Sequence, residues 1–305
     1  MSINELLNDL KETYSFSSEN LFQEVIFMIL KIKKRKKEAV RGGVVFLMAA
    51  CICLGQAAPV LALDAAWSQK VEITAHRGDS IKALENTIPA FEKAIESGAD
   101  WIELDVKETR DNVPVVFHDS SLKRLMGQDG TIREMTLEEI KKLHPAASMG
   151  PGYNNVKIPT LEETLDTCKG RIKLNIEIKE DGTESSDFTE RVIQLIRDKG
   201  MTDQCMITSF CYTVLEKVKA VEPSLKTGYI RSKDIEDFSK YPAADQYMLS
   251  IELIRKDRVD QIHSLGKKVT AWTVNDLYSL RKCESAQVDD MITDDPGGLL
   301  KLDDQ

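Results

Sequence analysis

From Val71 onward the sequence alternates short runs rich in β-formers with amphipathic stretches, and no other feature limits the fold so strongly. The strand-like runs are 71–75, 101–107, 113–118, 173–179, 205–209, 226–230, 246–251, 268–274 and 288–293. Between them, segments such as 87–97, 188–199, 213–221, 259–265 and 277–286 place apolar residues at i, i+3 and i+4, the period of a helix with one buried face. Taking 101–107 and 113–118 as one interrupted strand region leaves eight βα repeats. Eight repeats in residues 71–305 predict an α/β fold, a (β/α)8 TIM barrel rather than an open doubly wound sheet. No G-x-G-x-x-G follows the first run, which argues against dinucleotide binding. Residues 120–159 break the rhythm with turn formers and one short helical pattern, 136–143. They are expected to form a small inserted subdomain over the barrel mouth, after the second strand region.

The first 70 residues have another character. A basic block at 31–41 precedes the run 42–63, which contains no charged side chain and is just long enough to span a bilayer. The positive flank predicts that 1–41 stays in the cytoplasm and that everything after Asp64 is exported. The dense apolar core is only 44–54, with small residues near Ala58 and Ala62, so 42–63 reads equally as an uncleaved anchor or a cleaved signal peptide. A start at Met28 would give the latter an ordinary n-region. The localisation expected is the cell membrane with the barrel outside, or secretion.

Charge narrows the partners. Residues 71–305 hold 32 basic and 43 acidic side chains, a net charge of −11, so nucleic acid is not an expected partner. Handling a phosphate would need a metal. Of six cysteines, Cys51 and Cys53 lie in the apolar segment, and Cys168, Cys205, Cys211 and Cys283 lack metal-ligand spacing and read as core residues. A disulfide between Cys205 and Cys211 is conceivable outside the cytoplasm.

Polar residues that a core would not tolerate sit at the C-terminal ends of the predicted strands, the catalytic face of such a barrel. The first strand ends in His76-Arg77-Gly78, the second carries Glu103 and Asp105, the next run ends in His118-Asp119, and the following one carries Glu177 and Lys179. Side chains alternate along a strand, so Glu103 and Asp105 point the same way, as do Glu177 and Lys179. Three converging carboxylates repel one another unless a cation neutralises them, and all-oxygen ligation suits Mg²⁺ or Ca²⁺. The alternative is structural pairing of Glu177 with Lys179 and of Glu103 with Arg77. His76 and His118 suit an acid–base pair. His144, in the insertion, and His263, on a helix, lack such company.

These residues resemble the glycerophosphodiester phosphodiesterases. The matching pieces are Ala75-His-Arg-Gly78, Glu85-Asn-Thr87, Glu103-Leu-Asp105, Val115-Val-Phe-His-Asp119, Ile158-Pro-Thr-Leu161, Asn175-Ile-Glu-Ile-Lys179, Thr270-Ala-Trp-Thr-Val-Asn275 and Ile292-Thr-Asp-Asp-Pro296, in family order. The resemblance implies a TIM barrel that hydrolyses glycerophosphodiesters to sn-glycerol 3-phosphate and an alcohol. By position, it makes His76 and His118 the catalytic pair, Glu103, Asp105 and Glu177 the metal ligands, and Arg77 and Lys179 the phosphate holders. Glu85 would support them, and Trp272 would form an apolar wall against the glycerol. The competing enzymatic reading is a phospholipase of the related two-histidine type, a lysophospholipase D or a phosphoinositide phospholipase, at the membrane. A reading of another class is an inactive binding module at the cell surface. Oligomeric state and head-group preference are not legible.

Overall fold

The structure, a computed structural model, describes residues 71–146, 150–180 and 182–303. Nine strands are β1 (Glu72–His76), β2 (Trp101–Glu108), β3 (Pro114–Val116), β4 (Lys173–Ile178), β5 (Cys205–Ser209), β6 (Lys226–Arg231), β7 (Gln246–Ser250), β8 (Lys268–Trp272) and β9 (Asp290–Thr293). Neighbours run β1-β9-β8-β7-β6-β5-β4-β2, and β2 returns to β1, so eight parallel strands close into the expected barrel. The α-helices between and after them are α1 (Ile88–Ser97), α2 (Lys123–Met126), α3 (Leu137–Lys141), α4 (Leu161–Cys168), α5 (Phe188–Asp198), α6 (Tyr212–Val221), α7 (Lys256–Ser264), α8 (Leu277–Ala286) and α9 (Pro296–Asp303).

Burial on both faces explains why the strands read as β-rich runs rather than clean alternation. Ile102, Leu104 and Val106 of β2, and Leu174, Ile176 and Ile178 of β4, are fully buried in one apolar cluster with helix residues such as Phe91, Leu165 and Ile193. The opposite parity belongs to the barrel interior. There Met206, Ile230, Met248 and Ile292 form a smaller cluster against Trp101 and Trp272. Asp290 is also enclosed. It accepts hydrogen bonds from Thr74 Oγ1 at 2.9 Å and Thr270 Oγ1 at 3.1 Å, and burial pushes its carboxyl up to about 7.

The two runs treated as one interrupted strand region are separate strands. β3 pairs antiparallel with the far end of β2, with Val106 opposite Val116, and stands outside the barrel wall. A turn separates them: Asn112 adopts φ +62°, and Thr109 N donates to Val113 O at 3.1 Å. The insertion that follows has an apolar cluster of its own, with Leu122, Leu125, Ile132 and Ile140 packed on Leu84, Val115 and Phe117. Its helix α3 begins at Thr136, whose hydroxyl accepts from Glu139 N while the Glu139 carboxylate accepts from Thr136 N. Helix α4 starts with the same reciprocal cap, Thr160 with Glu163.

Cys205 opens β5 and Cys211 lies beyond its far end, so an extended strand holds them far beyond disulfide reach. The conceivable bridge does not form, and Cys168, Cys205, Cys211 and Cys283 are free. Among the described residues no helix is long and apolar enough to cross a membrane. The expected basic region 1–41 and apolar segment 42–63 lie outside the described residues.

Candidate active site

The expected site residues converge at the C-terminal ends of the barrel strands. His76, Arg77, Glu103, Asp105, His118, Glu177, Lys179 and Trp272 all line one cavity of about 280 Å³. Glu85 stands behind it, accepting from Arg77 Nη1 at 2.7 Å.

At the end of β1 the backbone turns sharply. Arg77 adopts φ +57° and Gly78 φ +83°. A Cβ on Gly78 would lie 2.7 Å from the backbone carbon of Ala90 on α1, so only glycine fits there. Positive φ at an arginine costs about 1 kcal/mol or more. Two hydrogen bonds hold it: Arg77 N donates to Glu103 Oε2 at 3.0 Å, and Arg77 O accepts from Asn86 N at 2.9 Å. The turn lays the guanidinium between Glu85 and Asp105, with Nε 3.4 Å from Asp105 Oδ2.

Glu103, Asp105 and Glu177 are all buried, and one carboxylate oxygen of each lies within 4.8 Å of the others. The pairing β2–β4 sets Asp105 directly opposite Glu177. Lys179 Nζ lies 2.7 Å from Glu177 and 3.0 Å from Asp105, so the Glu177–Lys179 pair exists, while Arg77 approaches Glu103 through its backbone and not its side chain. Two cations against three carboxylates leave a deficit. Burial, with Asp105 and Glu177 nearby, raises Glu103 well above the ordinary carboxylate range. Burial likewise raises Glu177, to about 7, with Asp105 adding to it and Lys179 opposing. Burial acts on Asp105 too, but Lys179 and Arg77 outweigh it, and Asp105 stays well below its usual range. Asn86 completes its surroundings, donating from Nδ2 at 2.7 Å. Such a cluster, short of positive charge and made only of oxygen donors, fits a divalent cation.

Each histidine is fixed from behind by a carboxylate. His76 Nδ1 lies 2.6 Å from Asp294 Oδ1, just past β9, and its Nε2 is 4.0 Å from Glu103. Asp294 is in turn held by Asn275, whose Nδ2 donates to its other oxygen at 2.6 Å. Although burial raises Asp294, the bond to His76 keeps it below the usual range. His118 Nδ1 lies 2.8 Å from Asp119. Asp119 accepts from Arg124 Nε at 2.7 Å, and Arg124 of α2 continues to Glu85 at 2.6 Å, so the insertion braces the site. Burial lowers His118 despite Asp105 and Asp119, which favours the neutral ring.

The remaining wall is apolar. Trp272 Nε1 donates to Met248 O at 3.0 Å, and Phe210 meets the indole edge-on at 5.9 Å, leaving ring surface toward the cavity beside Ile230 and Ile292. His144 and His263 lie elsewhere, the latter bonded to Asp289 at 2.8 Å. Asp294, Asn275, Asn86, Asp119, Arg124 and Phe210 were not assigned roles from sequence. All but Arg124 and Phe210 stand inside motifs quoted above, and a carboxylate at the C-terminal end of a strand was the available signal for Asp294.

Residues 76–298 match the Glycerophosphoryl diester phosphodiesterase family. A glycerophosphodiester phosphodiesterase of Caldanaerobacter subterraneus is 35% identical over 237 residues, covering 76% of this chain and 98% of that protein. Another, from Bacillus altitudinis, is 30% identical over 238 residues, covering 76% and 97%. Among solved structures, an Oleispira antarctica phosphodiesterase in complex with the product sn-glycerol 3-phosphate superposes with TM-score 0.69 at 28% identity, covering 79% of this chain and 99% of that one. A glycerophosphodiester phosphodiesterase from Thermotoga maritima gives TM-score 0.62 at 29% identity, over 76% and 98%. A match of this length and identity, on a barrel whose mouth gathers the motif residues, places the chain in the glycerophosphoryl diester phosphodiesterase family.

Proposed function

We propose that this enzyme hydrolyses glycerophosphodiesters to sn-glycerol 3-phosphate and an alcohol, with Mg²⁺ or Ca²⁺ held by Glu103, Asp105 and Glu177. The observation that carries the reading is the convergence, in one cavity, of three under-compensated carboxylates and two histidines braced through Nδ1. A bound divalent cation would polarise a phosphoryl oxygen and offset charge developing in the transition state. Arg77 and Lys179 are the groups to grip the phosphate, Arg77 with its planar fork and Lys179 as a point charge. Trp272 and Phe210 give the glycerol carbons an apolar wall. His76 and His118 move the protons: one takes a proton from the nucleophile, the other gives one to the leaving alkoxide. With Nδ1 engaged by Asp294 or Asp119, each ring works through Nε2, and the carboxylate behind it steadies the charged form. The nucleophile is either the adjacent glycerol hydroxyl, giving a cyclic phosphate, or water.

The same reading places the barrel outside the cell, because the basic block 31–41 stands before the uncharged run 42–63. Substrates would then be extracellular diesters scavenged for glycerol and phosphate. The test is release of glycerol 3-phosphate from a panel of glycerophosphodiesters, with lysophosphatidylcholine alongside, in the presence of Mg²⁺, Ca²⁺ or EDTA. Release that EDTA abolishes is expected. Full activity in metal-free enzyme would overturn the metal assignment, and choline released from lysophosphatidylcholine alone would favour a lysophospholipase D.

A further inference from the structure

The catalytic cavity has a neighbour. A second cavity of about 560 Å³ shares His118, Glu177, Lys179 and Phe210 with the first, and continues past them along Lys107, Ser120, Ser121, Ser209, Glu180 and Cys211. A phosphodiester has two arms. With the apolar wall of Trp272 in the first cavity, the second cavity is the space left for the other arm.

Its charges are unequally satisfied. Glu177 is paired with Lys179 at 2.7 Å, Asp119 with Arg124 at 2.7 Å, and Glu180 with Lys217 at 3.4 Å. Lys107 forms no ion pair or hydrogen bond with any described residue, yet it is only 8% exposed. The stem of Lys107 is buried while its ammonium opens on this cavity, where a ligand can reach it. The strand explains where it sits. Glu103, Asp105 and Lys107 alternate on one face of β2, so Lys107 stands about 7 Å beyond Asp105 along the strand. That places its charge at the mouth, beyond the carboxylates that hold Lys179.

We infer that Lys107 is the specificity-determining cation of a leaving-group subsite, and that this subsite takes alcohols which themselves carry an anionic group of the phosphate class. The inference rests on the reaction proposed above and names the kind of substrate it prefers. A second phosphate on the leaving arm supplies a counter-charge that no described residue gives Lys107. A choline arm would bring a cation against a cation.

The experiment compares three substrates with Mg²⁺ present: glycerophosphocholine, with a cationic leaving arm; glycerophosphoglycerol, with a neutral one; and bis(glycerophospho)glycerol, whose leaving arm bears a further phosphodiester. The wild-type enzyme should rank them anionic, neutral, cationic in kcat/KM. K107M should lose about 10- to 100-fold on the anionic substrate, the span of one charge-assisted hydrogen bond, and under about 3-fold on the neutral one. K107R should keep the wild-type order, and the loss in K107M should appear chiefly in KM. Longer glycerophosphate oligomers separate a polymer source from a deacylated diphospholipid, since only the former predicts equal use of longer chains. Equal losses on all three substrates, or a wild type that does not favour the anionic arm, overturns the inference while leaving the hydrolase reading intact. No glycerol 3-phosphate from any substrate overturns both. Should K107M fail to fold, the wild-type ranking and K107R decide the matter.

Discussion

Replacing Glu177 by Gln should separate stability from activity in opposite directions. Burial, with Asp105 opposite, lifts the Glu177 carboxyl from 4.5 to about 7. That rise is equivalent to about 3 kcal/mol for keeping the group charged in the folded, metal-free protein. The sign follows from a raised acid. Below about pH 4.5 the carboxyl is protonated in folded and unfolded chains alike and nothing is lost. As pH rises toward 7 the unfolded chain releases its proton first, so folding stability falls, and above about 7 the full penalty stands. Glutamine cannot ionise and escapes it. With EDTA present, Glu177→Gln should match the wild type at pH 4.5 and exceed it by about 3 kcal/mol at pH 8, or roughly 6–12 °C in Tm for a barrel of this size. Added Mg²⁺ or Ca²⁺ should raise the wild-type Tm by mass action and leave the variant nearly unmoved. Turnover should fall by at least ~10²-fold in the variant. Thermal unfolding followed by circular dichroism at the two pH values, with chelator and then with metal, reads all of this. A metal-free variant no more stable than wild type at pH 8, or one that keeps its turnover, would refute the charge argument for the metal site.

Three further expectations concern the histidines and the topology. His76→Ala and His118→Ala should each lower kcat by at least ~10²-fold with little change in unfolding, whereas His263→Ala, whose ring bonds Asp289 away from the cavity, should keep wild-type kinetics; equal losses at all three would indicate misfolding. Asp294→Asn should cut kcat at least ~10-fold and shift the pH–rate profile while KM holds, because it changes the partner at His76 Nδ1; an unchanged profile would count against the bracing role. Protease added to intact cells should digest the barrel, and N-terminal sequencing of the mature protein would tell anchor from cleaved signal; protection until lysis would show the topology to be wrong.

What could be read from sequence was what depends on local pattern. Buried parallel strands leave β-rich runs, and alternation within 103–105 and 177–179 was enough to aim the carboxylates at one point. The separation of β2 from β3 was harder, since both runs are rich in β-formers and the reversal between them is signalled only by the short turn at Asp111-Asn112, where Asn112 takes a positive φ. Helix α4 went unread although Thr160 and Glu163 form its cap. The supports of the site were missed for a different reason. Asp294 serves His76, Asn86 serves Asp105, and Arg124 links Asp119 to Glu85, and each of these contacts spans elements whose adjacency appears only once the barrel has closed and the insertion has packed. The Cys205 to Cys211 pairing, conceivable on spacing alone, is the converse: six residues look close in sequence, and an extended strand makes them distant.

The bond between His76 and Asp294 crosses the seam where β1 meets β9, joining residues 218 apart in sequence. Closing so long a span carries a large entropic cost that shorter-range pairings such as β7–β8 avoid. The carboxylate cluster needs only β2 and β4, whereas an oriented His76 needs the first and last strands of the barrel together. Cation binding and turnover therefore become measures of different stages of renaturation. A refolding chain should acquire its metal affinity as neighbouring strands assemble, and its catalytic competence only when the circle of strands is complete.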